Sequence, residues 1–317
     1  MIHSNSEGDI YIEEMPLLLV HLREEEKGAD ARLSEVLSYA LDGYAYETAT
    51  EISAFEDYVN RWRRLEMTQN RKNPVQGRIL FAVPLGTSGI NLELYCLIRF
   101  LREHPDFLNG FVGGLLVDSE NDLYSKSAAK DLVFAANCAG CAFVGRPLVE
   151  GTRTLSNYTI VSNNLGTDLM GAYRESAAGL VKEVLGTDCV RKKCPKVLVL
   201  HASSHKTSNT YAIWNRVKEQ LPEMEIREIG LRNGTLSDCA GCPYKMCLHF
   251  GEQGSCFYGG VMVEDVYPAV READAIVMLC PNYNDALSAN LTAFINRLTS
   301  LFRTTRFYDK ALFAVVV

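Results

Sequence analysis

Short apolar runs alternate with stretches whose apolar residues recur every three to four positions along almost all of the 317-residue chain. The runs read as strands and the stretches as amphipathic helices, and their alternation predicts an α/β fold with a largely parallel sheet. In the first half, residues 15–21, 79–85 and 111–117 read as strands. One helical face carries Leu33, Val36, Leu37, Ala40 and Leu41; a second carries Phe55, Tyr58, Val59, Trp62 and Leu65. Further helices are expected over 92–102, 124–137 and 170–185, the last with Tyr173, Ala177, Leu180, Val181 and Val184 inward. Residues 68–77 and 146–157 read as loops.

In the second half, residues 196–202, 224–230, 273–280 and 311–317 read as strands. One helix places Ile213, Trp214, Val217 and Leu221 on one face, and another, 287–302, places Leu287, Leu291, Phe294, Ile295, Leu298 and Phe302 inward. The Gly- and Pro-bearing charged stretch 186–195 (GTDCVRKKCP) is the best domain boundary. It separates an N-terminal α/β domain, 1–190, from a C-terminal one, 191–317. The first could itself comprise subunits 1–77 and 78–190, or a degenerate copy of the second. Cys-Ala-Gly-Cys occurs twice, at 138–141 and 239–242, at different distances from the preceding strand, so the match reads as coincidence.

Composition narrows the function classes. The chain is 47% hydrophobic and 22% charged, ordinary globular usage. Its net charge of −7 gives no broad basic footprint, so neither nucleic acid nor an anionic membrane surface is an expected partner. No apolar run approaches the ~20 residues a membrane span requires. The N-terminus, MIHSNSEGDIYIEE, has no basic segment followed by an apolar one, so no signal peptide is expected. Ten cysteines then point to thiols, metal ligands or redox chemistry in the cytoplasm.

Two loops carry the candidate chemistry. In KVLVLHASSHKTSNT, residues 196–210, a strand runs into small hydroxyl residues that open a helix. Orphan N–H groups and the positive end of the helix dipole make such a place an anion site. Ser203, Ser204, Ser208 and Thr210 add hydroxyls, Asn209 an amide, and His205 or Lys206 positive charge. A bare helix cap would need only one of these. Neither G-x-x-x-x-G-K-[ST] nor G-x-G-x-x-G occurs here. The second loop, CPNYNDALSANLTAFINR, follows the third strand of this half. In the flavodoxin strand order it falls beside the first, where open α/β sheets bind ligands. It offers Pro281, Asn282, Tyr283, Asn284 and Asp285, with Tyr283 able to present a flat face to an aromatic ring.

Together these motifs resemble the NAD(P)H-dependent FMN reductases of the flavodoxin-like superfamily, which carry G-S-x-R-x-x-S-N-T after strand one and P-x-Y before a helix ending in D-R after strand three. Ser203, Ser208, Asn209 and Thr210 match the first motif; Pro281, Tyr283 and Arg297 match the second. Ala202 stands in place of the family's Gly and His205 in place of its Arg. The resemblance covers residues 196–317. It implies a flavodoxin-like doubly wound sheet, FMN phosphate in the first loop, the isoalloxazine ring against the second, NAD(P)H as electron donor, and a small-molecule or protein acceptor.

Cys239, Cys242, Cys247 and Cys256 form a C-x2-C-x4-C-x8-C pattern between the second and third strands of this half. Iron–sulfur flavoproteins, a branch of the same superfamily, hold a [4Fe–4S] cluster with four cysteines in this region. Four thiolates also suit a structural zinc. A reactive Cys239/Cys242 dithiol and a plain thiol-bearing loop remain open, with His249 a substitute ligand. Residues 83–95, VPLGTSGINLELY, look like a worn phosphate loop with Thr87, Ser88 and Asn91 as donors, or simply a capped helix. Cys138 and Cys141 read as a redox pair or as small core residues. The charged runs 24–27 and 61–64 read as solvated helix faces.

A flavodoxin-like sheet has five strands, and four are legible in the second half. The reading therefore expects a chain truncated after the fourth strand, or a sheet completed by another segment or subunit, with weak FMN binding or a homo-oligomer as the consequence. The reaction expected is electron transfer from NAD(P)H through FMN to an acceptor. The alternatives are a flavodoxin-like electron carrier without NAD(P)H activity, and a non-enzymatic α/β binding module with structural zinc.

Overall fold

The computed structural model describes residues 15–24, 27–68, 76–189, 192–203, 208–232, 234–282, 284–302, 304–305, 307 and 309–317. The chain divides into two compact units, Met1–Cys189 and Val190–Val317.

The first unit runs β1 (Leu17–His21), α1 (Lys27–Ala40), β2 (Tyr46–Ala49), α2 (Ile52–Thr68), β3 (Gly77–Leu85), α3 (Leu92–Glu103), β4 (Phe111–Ser119), α4 (Ser125–Cys138), β5 (Ala142–Gly151), α5 (Thr159–Leu165) and α6 (Leu169–Gly186). Its five strands are parallel, in the order β2-β1-β3-β4-β5. That is the complete flavodoxin order. Because β1 pairs with β3, residues 1–77 and 78–190 share one sheet and are not separate subunits.

The sheet is covered on both sides, so its central strands are buried almost throughout. Alternate residues serve opposite faces. Leu18, Ile79, Phe81 and Leu115 pack with α2, α3 and α4, while Leu17, Leu80, Ala82 and Leu116 pack with α1 and α6. The expected inward faces of α1 and α6 are buried, as are Phe55, Tyr58, Val59 and Trp62 of α2; Leu65 is exposed.

Two strands escaped the hydrophobic pattern. β2 has four residues, of which only Ala49 is buried. β5 occupies part of the segment expected to be loop. Its pairing with β4 shifts between Phe143, opposite Gly113, and Leu148, opposite Leu115. A bulge absorbs residues 144–147, with Gly145 at φ +72°, and breaks the alternation that would have signalled a strand.

The expected worn phosphate loop, residues 83–95, follows β3, the third strand. A phosphate loop in this topology follows the first, so that resemblance is corrected by connectivity. Asn91 instead caps α3, accepting from Leu94 N at 2.9 Å while donating to the carbonyls of Arg23 and Pro84. Cys141 is buried beside Gly113, and burial pushes its thiol up; this is the core-residue reading of that cysteine.

At the carboxyl edge, Arg32 grips the fully buried Asp118, Nε and Nη2 donating to its carboxylate at 2.6–3.1 Å. Burial pushes the Asp118 carboxyl up, and Arg32 offsets part of that.

The second unit runs β6 (Lys196–His201), α7 (Asn209–Lys218), β7 (Glu225–Gly230), α8 (Tyr244–Glu252), a π-helical turn (Met262–Val266) continuing into α9 (Tyr267–Glu272), β8 (Ala275–Cys280), α10 (Ala289–Arg297) and β9 (Ala311–Val316). The strands are parallel, in the order β7-β6-β8-β9, the first four positions of the same flavodoxin order. Both units are thus α/β and flavodoxin-like. Leu198, Leu200 and Ile276 pack toward α9 and α10, and Val197, Val199 and Val277 toward Trp214 of α7.

The helical faces here are narrower than the periodicity suggested. In α7, Trp214 is buried but Ile213 and Val217 are exposed; Leu221 lies beyond the helix, partly buried. Around α10, Leu291 and Phe294 are buried and Leu298 partly so, whereas Leu287, Ile295 and Phe302 are exposed. Among the described residues no helix is long and apolar enough to cross a membrane.

Replacing Arg32 by Met leaves Asp118 buried without its partner. Urea unfolding at pH 7 should give a loss of about 3–5 kcal/mol. The variant's carboxyl then binds its proton more tightly folded than unfolded, so the deficit should shrink as pH falls toward 4.

Candidate functional site

Adjacency of β6 and β8 brings the ends of these two strands together at one edge of the second sheet. His201 ends β6, and Ser203 follows it; residues 204–207, including Ser204, His205 and Lys206, lie outside the described residues, as does Tyr283. Ser208 caps α7, its hydroxyl accepting from Tyr211 N at 3.4 Å and donating to Thr210 Oγ1 at 3.4 Å. Asn209 begins the helix. Thr210 is buried. The segment is therefore a capped helix end as well as a row of donors.

The loop after β8 is tied to β9: Asn282 N donates to Val317 O at 2.9 Å, and Val317 N to Cys280 O. Asn282 Nδ2 reaches Asp285 Oδ1 at 3.4 Å. Asn284 and Asp285 both adopt left-handed backbone, at φ +52° and +57°. Asn and Asp tolerate that region better than other side-chain-bearing residues, and the turn redirects the chain sharply after Pro281. Ser288 then caps α10.

Two features here escaped sequence reading. Nδ1 of His201 is buried with no hydrogen-bond partner among the described residues. Glu228 on β7 accepts from Tyr211 Oη at 2.7 Å, Trp214 Nε1 at 3.3 Å and Lys218 Nζ at 2.8 Å. Burial raises the Glu228 carboxyl, but these bonds prevail and hold it below its ordinary range. One carboxylate thus clamps α7, and with it the loop that precedes it. The signal, a lone Glu in a strand three residues past Glu225, was too common to find.

Cys239, Cys242, Cys247 and Cys256 line a single small pocket with Tyr258, Phe250 and Arg297. The Tyr258 hydroxyl, bonded to Cys242 and near Cys239 and Cys256, is pushed up. Asp238 fixes one end of the loop, accepting from Cys239 N at 2.6 Å and Asn296 Nδ2 at 3.0 Å. Arg297, the residue at the end of the second motif, is buried in the pocket wall. Its guanidinium donates to Gly259 O at 2.9 Å and Ser237 O at 3.4 Å, leaves Nε without a partner, and has no carboxylate within ion-pair distance among the described residues. His249 points elsewhere, to Gln253 at 3.3 Å. No disulfide joins any of the ten cysteines. Among the described residues no three His, Cys, Asp or Glu side chains stand as a metal-ligand set.

The second unit's fold is that of a flavodoxin-like domain. Residues 195–317 match the sequence model of a family described as NADPH-dependent FMN reductase. No curated protein matches the chain. A solved structure, that of Smu.1420 from Streptococcus mutans UA159, is similar at 16% identity and a TM-score of 0.31, over 38% of this chain and 66% of that one.

Glu228→Gln should cost about 1–2 kcal/mol at neutral pH by urea unfolding. The contribution of a carboxylate with a depressed pKa is present above its unfolded value and disappears as pH falls through the folded one. Wild type and variant should therefore converge as pH falls through the depressed range of the folded carboxyl; a difference independent of pH would show that charge is not what clamps the helix.

Proposed function

We propose that the protein is an FMN-binding oxidoreductase that takes electrons from NAD(P)H and passes them to an acceptor. The observation that carries this reading is the pairing of β6 with β8, which sets the loop before α7 beside the loop after β8, in a segment matching the FMN reductase family. The residues suit the flavin. Ser203, Ser208 and Asn209, with the helix end, would face its phosphate, and Ser204 and His205 continue the same loop in sequence. Pro281, Asn282, Tyr283, Asn284 and Asp285 would border its ring system. The buried Nδ1 of His201 at the end of β6, unpartnered among the described residues, supports a polar group bound at this edge.

When bound, FMN supplies the two-electron and one-electron chemistry. The chain's own work is placement. Ser208 holds the helix end in line, Glu228 fixes that helix to the sheet, and the left-handed turn at Asn284–Asp285 shapes the second loop. No side chain is assigned as general acid or base. Thr210 would support the same end of the helix, its Oγ1 accepting from the Ser208 hydroxyl at 3.4 Å.

The four-cysteine pocket is the basis for extending the reading to an iron–sulfur protein. Four thiols sharing a pocket wall with a buried, carboxylate-free guanidinium are a suitable setting for an anionic metal–thiolate group. Their placement does not yet form a ligand set, so no electron-transfer step is routed through it. A cytoplasmic location belongs to the same reading and rests on the ten unpaired cysteines.

Titration of the full chain with FMN, followed by quenching of flavin fluorescence, should saturate at one flavin per chain, and the complex should oxidise NADPH or NADH. Ser208→Ala should raise the FMN Kd about fivefold, the effect of losing roughly 1 kcal/mol of helix capping at the phosphate end. Flavin binding without nicotinamide turnover would favour an electron carrier; no flavin binding would sink both readings. Iron and zinc assays on protein purified without oxygen test the cysteines separately: about four irons per chain supports the cluster, one zinc supports a structural site, and neither removes both.

A further inference from the structure

The first unit has an unassigned cavity of about 340 Å³, lined by Gly28, Arg32, Thr87, Glu120 and Arg153. These residues come from the segments after β1, β3, β4 and β5, so the cavity sits at the carboxyl edge of the sheet, at its own switch point. Its charges are arranged unevenly. Arg32 is largely committed: beyond Asp118 it donates to Ser119 O and Arg153 O, each at 3.1 Å. That leaves one Nη1 hydrogen uncommitted. The Arg153 side chain makes no hydrogen bond or ion pair among the described residues. Its acidic neighbour, Asp122, uses Oδ1 to accept from Thr154 N at 3.1 Å and Thr154 Oγ1 at 2.9 Å.

Glu120 is the remaining charged group. A Cβ built on Gly28 would lie only 1.4 Å from Glu120 Oε1. The carboxylate therefore rests directly on the first turn of α1, where only a glycine lets it approach, and it is close enough to Arg32 to favour that guanidinium's charge. A side-chain oxyanion already occupies the electropositive corner of the cavity.

We propose that this cavity is a binding site for a small phosphate-bearing ligand, whose oxyanion displaces Glu120 and is held by Arg153 and the uncommitted Arg32 hydrogen. Glu120 acts as a built-in competitor that keeps the site closed to weak anions. Beside it, Tyr124 lies against Gly89, in the turn that carries Thr87, with its ring half exposed, and offers a surface for a flat group attached to the phosphate.

The test uses the full chain without added FMN, because FMN is itself a phosphate ester with a flat ring; substitutions confined to the first unit separate this cavity from any phosphate seat in the second. Inorganic phosphate and AMP are titrated calorimetrically into wild type, Glu120→Gln and Arg153→Glu, with circular dichroism and urea midpoints to establish folding. Neither substitution removes a side chain that hydrogen-bonds within the Arg32–Asp118 pair. Glu120→Gln should bind phosphate at least tenfold more tightly than wild type, and Arg153→Glu should abolish binding. AMP tighter than phosphate supports a phosphate ester; equal affinities support the oxyanion alone. A folded Glu120→Gln variant that binds neither probe more tightly than wild type overturns the proposal, as does binding that Arg153→Glu leaves intact. These comparisons stand whether or not the second unit binds FMN, because both variants lie in the first.

Discussion

Everything at the ligand-facing edges depends on one constraint of parallel sheets: a first strand that must sit between the second and the third. Right-handed crossovers then leave the first and third strands in opposite directions across the sheet. The two helices diverge, and a cleft opens beyond the strand ends with backbone amides pointing into it. Both units satisfy this constraint, β1 lying between β2 and β3 and β6 between β7 and β8. The burial of the strands secures it, because a shift of one residue would turn the Leu17/Leu19 set and the Leu18/Val20 set onto each other's faces.

The same architecture is used differently in the two units. In the second, polar residues gather at the cleft, and the helix is braced from behind by Glu228. In the first, Glu120 rests on the first turn of α1 and a buried Arg32–Asp118 pair sits beneath it. The cysteine pocket is a third arrangement. Its loop is held by Asp238 and Arg297, so that α10 anchors both the loop after β8 and the cysteines. Arg297 is thereby explained as a bracket for the cysteine loop.

How much of this was legible depended on whether the information was local. Long buried strands such as β3 and β4 announced themselves as apolar runs, and the faces of α1 and α6 as four-residue periodicities. β2 was invisible because an edge strand of four residues buries only Ala49. β5 was hidden by a bulge that places Arg146 and Pro147 inside a strand. α8 was missed because the cysteine spacing drew attention to a loop. The complete flavodoxin order of the first unit was legible only as the alternative of a degenerate copy of the second, since the order depends on which strands pair. Without the pairing, residues 83–95 resembled a loop after a first strand when they follow a third. At the site, the motif residues were legible as types, whereas the clamp at Glu228 and the orphan nitrogen of His201 arise only from packing between elements distant in sequence.

The central claim is that the flavin sits at the junction of the β6 and β8 loops, and location is what hydrogen exchange reads most directly. Comparing the full chain with and without FMN, the account predicts slowed exchange confined to residues 202–211 and 281–291. Protection elsewhere, in the segments after β1 and β3 of the first unit or around the cysteines alone, with no change at those two loops, would contradict it.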